Sequence, residues 1–109
     1  MKLAISTSGK DLNAPLTGFG RARHFILYDT ETQNYETLSN EKNMAASKGA
    51  GARTAQEIKK AGAEAIISAK IGPKALSYLQ GKNIPSFVAE QATVREAIDA
   101  YMNAELQPS

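Results

Sequence analysis

At 109 residues the chain has room for one domain with its own core, and not for two. A hydrophobic share of 42% and a charged share of 22% match an ordinary globular domain, and no apolar run nears the roughly 18 residues of a membrane span. The net charge of +2, with both signs interspersed, four Tyr, three Phe and no Trp, argues against a nucleic-acid partner, which would need a basic stripe or stacking platforms.

Along the chain, "KLAIST" (Lys2 to Thr7) reads as a first strand, with too short an apolar stretch for a signal peptide. A cytoplasmic protein without membrane contact is expected. "LNAPLTGFG" (Leu12 to Gly20) is a loop, "RHFILYD" (Arg23 to Asp29) a second strand, and "TETQN" a tight turn into a third strand, Tyr35 to Asn40. The rhythm then becomes helical. Apolar or small residues recur from Ala52 to Ala61, Thr54 and Glu57 have capping-box spacing, and Gly62 suits the position after the last turn.

"AEAIISA" (Ala63 to Ala69) is a short buried strand. Pro73 stands where a helix favours proline, and that helix runs to a terminating Gly81. "IPSFVA" (Ile84 to Ala89) is a fifth strand. Thr93 and Glu96 repeat the capping spacing before "VREAIDAYM", whose Val94, Ala97, Ile98 and Tyr101 share one face, and "ELQPS" reads as a frayed end. The order βββαβαβα predicts an α/β fold: a five-stranded mixed sheet in a three-layer α/β/α arrangement, as one domain over residues 1–109.

With the second strand antiparallel to the first and third, and the first, third, fourth and fifth pointing one way, four connections meet at one edge: Ser8 to His24, Asn40 to Arg53, Ala69 to Pro73 and Ala89 to Thr93. Ligands of open α/β sheets favour the carboxyl ends of strands, and helix N-termini there suit anions. Arg21, Arg23, Arg53 and Lys70 add positive charge, so the edge reads as an anion-receiving rim. Gly49, Gly51 and Gly72 can turn the chain or let a ligand approach the backbone, and both readings stand.

The chain has no Cys and one His, which excludes disulfides, thiolate nucleophiles and a Cys-ligated cluster or multi-histidine metal site within one chain. His24 is either a hydrogen-bonded histidine or a metal ligand. No nucleophile stands with a base: Ser6 and Ser8 have no triad, and Asp11 and Asp29 form no carboxylate pair. Catalytic residues are not expected.

The segments "FGRARHFILYDTET", "GAGARTAQEIKKAGAEAIISAKIGPKALSYLQGKNI" and "TVREAIDAYMNAELQP" together resemble the dinitrogenase iron-molybdenum cofactor biosynthesis family, of the NifX and NifB C-terminal type. The most specific pieces are Phe19-Gly20-Arg21-Ala22, Gly49-Ala50-Gly51 and Ile71-Gly72-Pro73, in that order. The resemblance implies a ribonuclease-H-like fold. It also implies a non-enzymatic carrier of an iron–molybdenum cofactor or iron–sulfur precursor cluster, with a possible protein partner in cluster assembly.

Family members that bind cofactor often place a histidine before the Phe-Gly; here it is Gly18, and Ala69-Lys70-Ile71 stands where many relatives carry a cysteine. Direct ligation then falls to His24, another subunit or an external thiol. The implied site is Arg21, His24, Gly49, Gly51, Arg53, Lys70 and Gly72, with His24 as the metal ligand. The alternative is a protein-interaction or regulatory module that keeps the fold without cluster ligation.

Overall fold

Strand alternation divides the side chains of the sheet between two cores. In β1 (Lys2–Thr7), Leu3 and Ile5 enter one hydrophobic cluster and Ala4 the other. In β2 (His24–Asp29), Phe25 and Leu27 join Ala4, while Ile26 joins Leu3 and Ile5. In the computed structural model, which describes residues 1–44 and 50–108, these strands lie inside a six-stranded mixed sheet of order β3-β2-β1-β4-β5-β6.

β3 (Tyr35–Ser39) and β1 flank β2 and run antiparallel to it, whereas β4 (Ala65–Ser68) and β5 (Ser86–Val88) run parallel to β1. The expected strand directions are therefore those observed. α2 (Ala50–Lys60) and α3 (Pro73–Gly81) cover the Phe25 face through Ala55, Ile58 and Leu79, and α4 (Val94–Met102) covers the other through Val94, Ala97 and Ile98. Among the described residues, no helix is long and apolar enough to cross a membrane.

Three local expectations are corrected. The sheet has six strands, not five: β6 (Gln107–Pro108) pairs antiparallel with β5 in the segment expected to fray. Its two residues carry no alternation, and proline is tolerated because this is a sheet edge. A single helical turn, α1 (Glu41–Met44), follows β3 and is too short for any periodicity to show.

Thr54 caps nothing. It lies inside α2, buried, and its hydroxyl donates to Asn40 Oδ1 at 3.0 Å. Gly81 is the last residue of α3, as expected, but it takes no left-handed conformation: the Lys82 N–H after it reaches the Tyr78 and Leu79 carbonyls at 3.1 Å, and Asn83 makes the left-handed turn at φ 59°. The remaining signals hold. Pro73 opens α3, Gly62 turns the chain after α2 at φ 96°, and Thr93 and Glu96 form a reciprocal capping box.

The loop after β1 packs tightly on itself. A Cβ built on Gly9 would lie 2.5 Å from Ala14 Cβ, and Ala14 is buried. Gly9→Ala is expected to destabilise the protein by about 1–3 kcal/mol, as overpacking does. Urea denaturation checks this, and an unchanged midpoint would mean that the loop gives way freely. At the far end of the sheet, the Glu31 backbone N–H, 2.9 Å from Asp29 Oδ1, holds the Asp29 carboxyl below its ordinary pKa.

Candidate functional site

The carboxyl ends of β1, β3, β4 and β5 share one edge with the start of β2, because Thr7 pairs with His24 and His24 with Ser39. The chain after β1 is laced across this edge. Ser6 Oγ lies 2.7 Å from the Thr17 carbonyl oxygen and 2.8 Å from Ser68 Oγ, with both serines fully buried. The Ala69 N–H donates to the Thr17 carbonyl at 2.9 Å and the Phe19 N–H to the Lys70 carbonyl at 2.8 Å. Two loops expected to converge are thus hydrogen-bonded to each other.

Phe19 anchors the turn that follows. Its ring is buried against Phe25 in an edge-to-face pair, centroids 5.5 Å apart, and a 3-10 turn over Phe19–Arg21 then leaves Gly20 and Arg21 exposed. Beneath the turn lies a cavity of about 20 Å³, lined in part by Phe19, Gly20, Asn40, Gly51 and Thr54. The turn and the first part of α2 are therefore neighbours. Gly51 in turn faces α3, where an added Cβ would sit 3.6 Å from Ala75 Cβ.

The charges at this edge are free of internal partners. Arg21, Lys70 and Lys74 are exposed, and among the described residues none is in a salt bridge. α3 adds backbone donors: Gly72 carries no capping side chain and Pro73 no N–H, so the amides of Lys74 and Ala75 stay open at the helix start. Cβ atoms on Gly20 and Gly72 would meet nothing within 4 Å, so no internal contact requires glycine there. What these residues provide is bare backbone facing outward between cationic side chains.

The expected site residues do not all meet. Arg21, Lys70, Gly51 and Gly72 surround the junction of the 3-10 turn with the starts of α2 and α3. Arg53 is exposed on α2, while its neighbours Thr54 and Ala55 face inward, so its side chain leaves from the solvent face of that helix. Gly49 lies outside the described residues.

His24 is on the other side of the sheet. It shares the face of Ile26, toward α4, opposite Phe25. It is only 7% exposed, and its Nδ1 has no hydrogen-bond partner. Among the described residues, no three His, Cys, Asp or Glu side chains group as metal ligands.

Sequence reasoning missed the polar clasp under the turn. Asn40 Nδ2 donates to the Ala22 carbonyl at 2.8 Å, its Oδ1 accepts from Thr54 Oγ1 and, at 3.1 Å, from Asn43 Nδ2, and Asn43 also donates to Glu57 Oε2 at 2.9 Å. The available signal was Thr54 itself. A threonine on the buried stripe of an amphipathic helix needs a partner in the core.

A family model described as dinitrogenase iron-molybdenum cofactor matches residues 1–104. The chain belongs to this family. Among solved structures, the apo form of the orange protein from Desulfovibrio gigas is 30% identical, with TM-score 0.94, covering 99% of this chain and 92% of that one. A NifB-like protein from Thermotoga is 34% identical, with TM-score 0.86, covering 98% and 91%. A dinitrogenase-like protein from Methanocaldococcus jannaschii shares the fold at 20% identity and TM-score 0.71, covering 100% and 94%. Among curated proteins, no sequence matches the chain.

Proposed function

We propose that this member of the dinitrogenase iron-molybdenum cofactor family is a non-enzymatic carrier of an anionic metal–sulfur cluster, held at the rim between the 3-10 turn and the start of α3. One observation carries the reading: cations that are unpaired among the described residues, and outward-facing glycine backbone, surround a junction in a chain that has no thiolate. Arg21 and Lys70 supply charge, Gly20 and Gly72 allow close approach of the backbone, Gly51 lets α2 pack closely on α3 beside them, and the amides of Lys74 and Ala75 donate hydrogen bonds to sulfide or oxygen. Arg53, exposed on α2, acts at the outer margin of the rim.

The donor set decides the form of the cargo. A rim without Cys, with the single His on the opposite face, offers charge and hydrogen bonds but no bond to iron or molybdenum. The cluster therefore arrives with its metal coordination already complete, capped by sulfide, external thiols or an organic acid. The relation to the orange protein, solved in an apo form, supports a fold that exists without its ligand.

A second reading has one observation in its favour: buried Nδ1 of His24 lacks a partner, as an imidazole awaiting a metal would. Anaerobic incubation with extracted iron–molybdenum cofactor, or with a synthetic iron–sulfide cube capped by small thiolates, followed by desalting, tests both. Colour retained by the wild type and by His24→Ala assigns binding to the rim. Colour lost only in His24→Ala assigns it to His24. A colourless wild type overturns the carrier reading and leaves the protein-interaction module.

Gly72→Ala gives an independent check. Gly72 sits at φ −69° and ψ 160°, which alanine adopts without strain, and its Cβ would meet nothing. The substitution is expected to leave stability within about 1 kcal/mol, because the gain through the unfolded state is opposed by the poorer fit of alanine at a helix N-cap. Cluster affinity is expected to fall, because the methyl group would stand where the ligand approaches. Thermal melts and probe titration measure the two effects separately.

A further inference from the structure

We propose that Asn40 is a positioning residue for the rim: its side-chain amide locks the 3-10 turn to α2 and so fixes where Arg21 stands. The proposal rests on the carrier reading for its ligand and on the clasp for its geometry.

The turn is bracketed at both ends. Upstream, the Phe19 N–H is bonded to the Lys70 carbonyl; downstream, the Ala22 carbonyl accepts from Asn40 Nδ2. The Asn40 backbone N–H adds a bond of 2.7 Å to the Arg23 carbonyl, so one residue holds the carbonyls of the two residues that follow Arg21. Asn40 is 5% exposed, and its own orientation is set by Thr54 and Asn43 on Oδ1.

A polar cluster kept only for stability could lie anywhere in the core, and an apolar group of the same shape would often serve as well. This one lies directly under the rim. Asn40, Asn43 and Thr54 line the same small cavity as Gly20 and Gly51, the backbone elements that flank Arg21 and open α2. Without the Asn40 side chain, the Ala22 carbonyl and Thr54 hydroxyl lose their buried partner, and the turn loses its side-chain link to α2 while keeping the Phe19 anchor and the backbone bonds to Lys70 and Asn40. Arg21 would then sample a range of positions relative to α2, and a charge-assisted contact that depends on placement would weaken.

Two measurements test this. Affinity for the thiolate-capped iron–sulfide cube is titrated in wild type, Asn40→Ala, Thr54→Val and Thr54→Ser, at a temperature where circular dichroism shows each folded. Asn40→Ala and Thr54→Val are expected to lose about tenfold in affinity, the worth of one hydrogen bond to a charged group. Thr54→Ser, which keeps the hydroxyl, stays within about twofold of wild type.

Separately and without ligand, spin labels at Arg21→Cys and Gln56→Cys, in a chain with no native cysteine, report the distance from turn to helix. A narrow distribution that broadens in Asn40→Ala and Thr54→Val supports the clasp. Unchanged distances, or unchanged affinity in folded variants, overturn the proposal. A wild type that binds no probe sinks the carrier reading and the anion-positioning role with it, while the distances still decide whether Asn40 holds the turn. If Asn40→Ala does not fold, Thr54→Val carries both arms.

Discussion

Replacing Phe19 by alanine is expected to cost about 3–5 kcal/mol of stability, as truncating a buried phenylalanine does. The ring is 2% exposed, meets Phe25 at an interplanar angle of 62°, and belongs to the cluster that joins the sheet to α2 and α3. Small domains hold about 5–15 kcal/mol in all, so the variant keeps its fold with little margin. Urea denaturation gives the magnitude. The same change frees the 3-10 turn from below, so probe affinity falls even where the protein remains folded. A loss of stability below about 1 kcal/mol would mean that the aromatic pair does not anchor the turn.

Reversing charge at Arg21 and Lys70 together is the prediction with the largest expected effect on binding. Each contact between a charged group and an anion is worth about 1.5–3 kcal/mol, so Arg21→Glu with Lys70→Glu should weaken the cluster complex by roughly a hundredfold or more. Both residues are exposed and, among the described residues, unpaired, so stability is expected to stay within about 0.5 kcal/mol. Binding to wild type should also weaken as salt rises, with the slope reduced in the double variant. Equal affinity in the two proteins would remove the electrostatic basis of the rim.

The two effects separate along the fold. Phe19 acts through packing and is felt in stability first; Arg21, two residues on, acts through charge and is felt in binding alone. Such a division is what a rigid scaffold carrying an exposed recognition turn should produce. Asn40 lies between them, buried like Phe19 yet bonded to the carbonyl that follows Arg21.

Much of the architecture was legible from local pattern. Short apolar, partly β-branched runs bounded by turn residues located β1 and β2, glycine and proline placed the turn at Gly62 and the start of α3 at Pro73, and a capping box placed the start of α4 at Thr93. The convergence of the loops also followed, because crossover handedness leaves few ways to join a strand, a helix and a parallel strand. Where the reading failed, the local signal was absent or ambiguous. β6 has two residues and α1 four, and Thr-x-x-Glu at Thr54 has the spacing of a cap while serving the core.

Sequence by itself determined the family, the directions of the strands and the chemistry that is missing, since a chain without Cys cannot offer thiolate wherever its loops go. Only the tertiary structure decided which cations keep company. Pleating sends His24 and Phe25 to opposite faces of one strand, while the turn of α2 carries Arg53 outward as Thr54 goes in. The reason is that the direction of a side chain depends on packing partners far away in the chain, as Asn40 shows by reaching both Ala22 and Thr54.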